Sequence, residues 1–171
     1  MVVGSPPCTL FSVLQEINKK KMEGNAPWMK NFGERLKEAE QHVEFCCLLY
    51  RYQLKRGCHF LHEHPWSAKS WKLKCVEDLM RDSRVTTVRS DLCRFGMTGK
   101  IPGGEIKEGP VMKPTGFMSS SWCVAEELNK RCEGLHEHVH LQGAKMTSMA
   151  AVYPEELCAA IVRGIVKQKK V

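Results

Sequence analysis

The sequence lacks any long apolar run and any sign of a secretory leader. No stretch approaches the roughly 18 consecutive apolar residues that a membrane-spanning helix needs, so we expect no membrane partner. The opening residues, MVVGSPPC, do not combine a basic region with a following apolar stretch, as a secretory signal does. These two absences favour an intracellular protein, either nuclear or cytoplasmic.

The sequence also lacks the cysteine spacing of a disulfide scaffold or of a standard zinc finger. Its nine cysteines are an odd number, they are scattered, and no two of them form a C-x2-C pair. In a reducing compartment such thiols act as small core residues, metal ligands or nucleophiles. We therefore expect free thiols rather than disulfides.

Acidic residues are fewer than basic ones. The chain has 26 lysines and arginines against 19 aspartates and glutamates, which gives a net charge of +7. The basic residues are concentrated in three segments, Lys19 to Lys21, Arg51 to Arg56 and Arg163 to Lys170. Nucleic acid is the natural partner for such a surface, because each neutralised phosphate releases counterions. A basic surface with no particular partner is the alternative.

The apolar pattern predicts alternating strands and helices. Apolar residues recur every three or four positions from Lys30 to Arg56, which predicts one long helix that Gly57 ends. Proline at position 154 predicts the start of a last helix. The other expected elements are strands at 2–3, 58–61, 85–88 and 111–118, helices at 71–82 and 121–131, and a loop at 96–109. This order predicts an α/β fold, a single domain over residues 1–171 with a mostly parallel, Rossmann-like sheet flanked by helices.

The first loop places a thiol in a defined position. Pro6 and Pro7 follow a short strand and fix the backbone, and Cys8 then projects beyond the carboxyl end of that strand. This is the edge of an open α/β sheet where ligands bind. A buried structural cysteine after a turn is the alternative interpretation of the same pattern.

The string GSPPCTLFS, from Gly4 to Ser12, resembles the nucleophile loop of cytosine-5 methyltransferases. A second match is the strand that ends in His62-Glu63-His64, similar to the strand of that family that finishes in a glutamate. The family's asparagine and valine after the glutamate are replaced here by His64 and Pro65. The resemblance implies that Cys8 is the nucleophile and that Glu63 hydrogen-bonds the target cytosine. A charged residue at a strand end is the plainer interpretation of Glu63.

The resemblance covers roughly the C-terminal half of a methyltransferase. It implies S-adenosylmethionine as cofactor, with Pro6 and the Pro154 helix beside it, and Ser5, Arg89 and Arg94 as substrate-binding residues. The glycine-rich turn and acidic residues of the donor site are not found in the sequence. We therefore expect that an N-terminal half or a larger polyprotein, such as one from a mobile element, completes the protein, and that the isolated chain is inactive.

A second candidate site is a zinc centre. Cys132, His136, His138 and His140 follow one another at short spacings, and cysteine with histidine is a common ligand set for zinc. Alternate positions would place the histidines on one face of a strand. Cys93 or Cys123 would complete a tetrahedral set, whereas histidines on a solvated strand are the alternative interpretation.

Two classes of function compete at this point. The first is the catalytic half of a cytosine-5 nucleic-acid methyltransferase, in which the base leaves the stack to reach Cys8. The second is a non-catalytic module of a larger polyprotein that binds nucleic acid or zinc. A third, a thiol-dependent hydrolase, would need His62 or His64 as a general base directed at Cys8.

Overall fold

The computed structural model describes residues 1–99, 108–139 and 151–171. The four longer strands are β1 (Val2–Gly4), β2 (Phe60–Pro65), β3 (Thr86–Asp91) and β6 (Pro114–Ser119), and the two short ones are β4 (Thr98–Gly99) and β5 (Gly109–Pro110). The α-helices within the described ranges are α1 (Leu14–Lys21), α2 (Ala26–Lys55), α3 (Lys74–Met80), α4 (Trp122–Leu128) and α5 (Glu155–Gln168). The same ranges contain 3-10 helices at Thr9–Phe11, Lys69–Lys72 and Leu92–Phe95.

The α/β class is confirmed, but a mostly parallel sheet is not. The four longer strands have the order β1-β2-β6-β3, and β1 pairs with β2 in parallel. The short strands β4 and β5 form a separate antiparallel pair. The described strands therefore form a mixed arrangement. Apolar patterning reveals where strands occur but not the direction in which they pair, which explains the difference.

The chain divides into two compact units. The first contains residues 1–87 and 118–120, and the second contains residues 88–117 and 121–171 within the described ranges. None of the described helices is long and apolar enough to cross a membrane. The prediction of a single domain stays a prediction.

The core of the first unit is built on α2. This helix begins earlier than predicted, because the Asn25 side chain accepts a hydrogen bond from the amide of Trp28 and Pro27 occupies the first turn. The predicted apolar face is otherwise confirmed. Its buried side chains join a core cluster with residues of the Thr9–Phe11 helix, β2, α3 and β6 and with one residue after β2: Phe11, Val43, Cys46, Cys47, Tyr50, Leu54, Phe60, Ala68, Val76, Leu79 and Met118.

The second unit contains a close pair of helices. Val124 and Leu128 of α4 are buried, as are Leu157 and Ile161 of α5. A side chain at Gly164 would place its Cβ atom 2.6 Å from the Cα atom of Val124. Only glycine allows the two backbones to approach this closely.

Candidate functional site

The parallel pairing of β1 with β2 brings the two predicted motifs to one edge of the sheet. The register pairs Val2 with Phe60 and Gly4 with His62, so the carboxyl ends of both strands lie at the same edge of the sheet. Immediately beyond Gly4, the Ser5 hydroxyl donates a hydrogen bond to Oε2 of Glu63. Two segments that lie 58 residues apart in the sequence therefore meet at this edge.

Glu63 lies in a buried position inside β2, with only 5% of its surface exposed. A carboxyl group removed from water is costly unless it is hydrogen-bonded. The Ser5 hydroxyl supplies such a bond. Glu63 is thus a buried polar group held by the loop that carries the thiol, and not a surface charge at a strand end.

Cys8 lies at the start of the 3-10 helix after the two prolines. The thiol-bearing residue is half-buried, and its carbonyl oxygen accepts a 3.0 Å hydrogen bond from the amide of Phe11. Phe11 is almost fully buried in the core cluster, which anchors the far side of the loop. Cys8 therefore belongs to an ordered loop with an internal hydrogen bond.

His64 bonds the Cys8 loop and belongs to a group of buried polar side chains. Nε2 of His64 is 2.9 Å from the Pro6 carbonyl oxygen, and Nδ1 of His64 is hydrogen-bonded to the Ser70 hydroxyl. Nδ1 of His62 is 3.0 Å from the Tyr50 hydroxyl. Nε2 of His62 is fully buried and has no hydrogen-bond partner within the described residues. The sequence indicates that these histidines flank Glu63, but it does not reveal Tyr50 or Ser70 as their partners.

Two features of this group follow from its burial. Desolvation, with a smaller effect of His64, lowers the pKa of His62 from 6.5 to about 3, so this imidazole is neutral at physiological pH. Gly4 is required beside Tyr50, since a Cβ atom at this position would overlap the Tyr50 hydroxyl. The glycine of the GSPPC string therefore allows the close approach of β1 to α2.

The second site is a cluster of four zinc-type ligands. Sulfur or ring-nitrogen atoms of four residues all lie within 4.8 Å of one another, and the four are Cys93, Cys132, His136 and His138. Cys93 comes from the 3-10 helix after β3, and the other three come from the segment after α4. The predicted strand is wrong here, because this segment has no regular secondary structure. His140 lies outside the described residues, and Cys123 lies in α4 outside the cluster.

The separations within the cluster fit tetrahedral zinc. Zinc–sulfur bonds of about 2.3 Å and zinc–nitrogen bonds of about 2.0 Å require S···N separations of about 3.5 Å and N···N separations of about 3.3 Å. The Cys132 sulfur lies 3.6 Å from Nε2 of His136 and 3.4 Å from Nε2 of His138. The two histidine nitrogens are 3.0 Å apart. These residues therefore fit a zinc ion in both donor type and spacing.

Asp91 connects the two segments that supply the ligands. Its buried carboxylate accepts a 2.9 Å hydrogen bond from the Cys132 amide and a 3.2 Å bond from Nε of Arg131. Burial alone would raise the pKa of Asp91, but the Cys132 amide and the Arg131 and Arg89 guanidinium groups hold it below its usual value. The Gly134 amide also points toward the Cys132 sulfur, at 3.4 Å. Such outer contacts orient metal ligands.

The thiol of Cys93 favours the protonated form without a cation. Burial and the neighbouring Cys132 thiol raise the pKa of Cys93 to about 11. A coordinated zinc ion reverses this preference, because zinc binds the thiolate and releases the proton. The site is therefore suited to a cation and poorly suited to two free thiolates.

The remaining predicted residues have structural partners. Nη2 of Arg89 lies 3.3 Å from Asp91, and Nη1 of Arg94 lies 2.6 Å from Glu133. The Pro154 carbonyl oxygen accepts bonds from the amides of Leu157 and Cys158 at the start of α5. The Pro6 carbonyl faces His64. The carbonyls of the two prolines assigned to the methyl donor are thus engaged within the protein, and the described residues do not support a site for S-adenosylmethionine.

Comparisons with known proteins do not place the chain in a family. No family model, no curated protein and no solved structure matches it.

Proposed function

We propose that the Cys8–Glu63 edge of the first unit is the base pocket of a cytosine-5 methyltransferase-like protein that acts on nucleic acid. The observation that carries the proposal is the hydrogen bond from Ser5 to the buried Glu63 across the parallel pair β1–β2. This bond joins the two motifs on which the family resemblance rests, because the loop that holds the buried Glu63 carboxyl also carries the half-buried Cys8 thiol.

The proposed chemistry starts at Cys8. Its thiolate adds to C6 of the pyrimidine and forms a carbon–sulfur bond, while the electron pair of the C5–C6 double bond moves onto the ring. The Glu63 carboxyl would share a proton with N3 and so stabilise the charge that develops there. The adduct then takes a proton at C5 from water or reverts when the thiolate leaves. The described residues do not support a site for the methyl donor.

An oligonucleotide that contains 2-pyrimidinone in place of cytosine tests this proposal. The base is electrophilic at C6 and needs no methyl donor to react with a thiol. We expect a covalent adduct with the 171-residue protein that peptide mapping locates at Cys8. Cys8→Ser should abolish the adduct, and Cys58→Ser is the matched control at an exposed cysteine. An adduct at any other cysteine, or none at all, would contradict the proposal.

We also propose a zinc centre in the second unit, which is the function that a non-catalytic module would have. The specific support is the agreement of the Cys132, His136 and His138 separations with tetrahedral coordination. With two cysteines and two histidines as ligands the coordination sphere is closed, as in structural zinc sites. Such a centre would hold the Leu92–Phe95 helix against the segment after α4.

Metal analysis separates this centre from adventitious binding. We expect one zinc ion per chain by elemental analysis, and cobalt substitution should give the visible absorption of cobalt–thiolate bonds. Cys132→Ser should lose the metal, whereas Cys158→Ser, at an exposed cysteine of α5, should retain it. Equal metal content in the two variants would contradict the proposed zinc centre.

A further inference from the structure

Two consecutive residues of the loop that carries Cys8 have no amide hydrogen with which to bond the sheet. Pro6 and Pro7 have no N–H group, so this part of the loop has no backbone donor for a strand ladder. Its attachment must use carbonyl oxygens or side chains. The Pro6 carbonyl is bonded by His64, a fully buried residue of β2.

The hydrogen bonds of His64 define its tautomer. A carbonyl oxygen only accepts, so Nε2 of His64 must carry the hydrogen that is donated to Pro6 over 2.9 Å. In the neutral imidazole, Nδ1 is then the acceptor and takes the hydrogen of the buried Ser70 hydroxyl. Ser70 therefore fixes the orientation of the ring, and the ring fixes the position of the loop.

His64 also contacts the loop on the other side of the thiol. The ring centroids of His64 and Phe11 are 5.7 Å apart in a tilted arrangement. Pro6 precedes Cys8, and Phe11 ends the 3-10 helix that Cys8 begins. One buried side chain thus bonds the backbone before the thiol and packs against a side chain that follows it.

We propose that His64 is the positioning residue of the Cys8 loop, holding it through the Pro6 carbonyl and the Phe11 ring so that the thiol is presented to the proposed base pocket. This inference rests on the proposed function for its purpose, because it concerns how the thiol is presented to the base. The contacts themselves are independent of which electrophile the thiol meets.

Glutamine and asparagine at position 64 distinguish the contributions of the two ring nitrogens of His64. The amide nitrogen of His64→Gln reaches the position of Nε2 and can still donate to Pro6, whereas His64→Asn reaches only the position of Nδ1. His64→Ala removes both bonds. The readout is alkylation of Cys8 by iodoacetamide, measured by mass spectrometry relative to the exposed Cys58 of the same chain. Modification of the buried Cys47 reports any loss of the fold.

We expect His64→Asn and His64→Ala to raise the alkylation of Cys8 several-fold, because a released loop exposes a half-buried thiol. His64→Gln should stay within about twofold of the wild type, since its bond to Pro6 is kept. In the same variants the rate of adduct formation with 2-pyrimidinone should change in the opposite direction, falling for Asn and Ala and recovering for Gln. General destabilisation would produce the same pair of responses, so continued protection of the buried Cys47 is what distinguishes release of the loop from loss of the fold.

The outcomes are separable. Equal alkylation in all four proteins, or a Gln variant that behaves like Ala while Cys47 stays protected, would overturn the positioning role. If Cys47 becomes modified in the His64 variants, alkylation of Cys8 is measured in Ser70→Ala instead. This substitution removes only the hydrogen bond that orients the His64 ring. A rise at Cys8 supports the inference, and no change there overturns it. A wild-type protein that forms no pyrimidine adduct refutes the proposed function but leaves the alkylation test intact.

Discussion

At the scale of single residues, the role proposed for Glu63 requires it to share a proton with the base. Glu63→Gln keeps the size of the side chain and a hydrogen-bond acceptor for Ser5, but it cannot transfer a proton to N3. We expect adduct formation with 2-pyrimidinone to fall by about 10²-fold, the usual scale for loss of a general acid. Ser5→Ala, which removes the bond to Glu63 and leaves the carboxyl in place, should have a smaller effect. Equal losses would assign Glu63 a structural role only.

His62 makes stability depend on pH. Its pKa is lowered from 6.5 to about 3 in the folded protein, so below pH 6.5 the unfolded chain binds a proton that the native state does not. Stability contributed by this residue is therefore complete above pH 6.5 and is lost as the pH falls toward 3, by an amount on the order of a few kcal/mol.

Urea denaturation at pH 7.5, 5.5 and 4.5 measures this dependence. His62→Asn keeps a polar atom near the Nδ1 position, where the Tyr50 hydroxyl bonds, but does not titrate. The variant should show a flatter decline of the unfolding free energy in acid than the wild type. An equal pH dependence of the unfolding free energy in the two proteins would contradict a lowered pKa for His62 in the native state.

Some of these residues could be found from the sequence and others could not. Cys8, Glu63 and the four zinc-type ligands have side chains whose chemistry is visible in the sequence. Their partners carry no such signal, because Asp91 lies 41 residues from the Cys132 amide that it holds. Ser70 and Tyr50 are recognisable only once α2 and β2 are packed together.

At the scale of elements, two helical glycines have opposite environments. A Cβ atom at Gly164 in α5 would meet the Val124 backbone at 2.6 Å, whereas one at Gly33 in α2 would meet nothing within 4 Å. Gly164→Ala should therefore destabilise the protein by about 1–3 kcal/mol through overpacking. Gly33→Ala should stabilise it by up to about 1 kcal/mol, because alanine favours the helix. Thermal unfolding of both variants provides the measurement, and shifts of the same sign would contradict the helix packing described.

Helix α2 could be predicted and α1 could not, for one physical reason. The buried face of α2 repeats every three or four residues, and this repetition is the signal that predicts a helix. Helix α1, LQEINKKK, has only two apolar residues, Leu14 and Ile17, which are too few to form a repeating pattern. The β4–β5 pair likewise has only two residues in each strand and falls within a glycine-rich segment that predicts a loop.

At the scale of the whole molecule, the charge should govern affinity for nucleic acid. Lys19, Lys20 and Lys21 are exposed at the end of α1, shortly after the Cys8 loop. Lys167 in α5 is instead bonded to Glu127, which also binds Arg163. For the proposed nucleic-acid partner, we therefore expect the α1 lysines rather than Arg163 and Lys167 of α5 to contact phosphate.

We expect the logarithm of the binding constant for a cytosine-containing single strand to fall linearly with the logarithm of the salt concentration. Changing the three α1 lysines to glutamine should reduce the slope by about 2, given about 0.7 released counterions per phosphate contact on single strands. Lys167→Gln is the control and should leave the slope unchanged. Fluorescence anisotropy at several salt concentrations gives the slopes. Identical slopes for the triple variant and the wild type would show that the α1 lysines do not contact phosphate.

The hydrogen bond between Ser5 and Glu63 spans 58 residues, and this distance has a consequence for the order of folding. Closing a flexible chain of that length costs about 3.6 kcal/mol in entropy before any contact is gained. Helix α2 accounts for 30 of the intervening residues, and its formation shortens the segment that must close. We therefore expect the amides of α2 to become protected early in pulsed hydrogen exchange and those of β1 to follow. The thiol loop would then be among the last parts of the first unit to form, so a nascent or partly folded chain would carry Cys8 without its pocket.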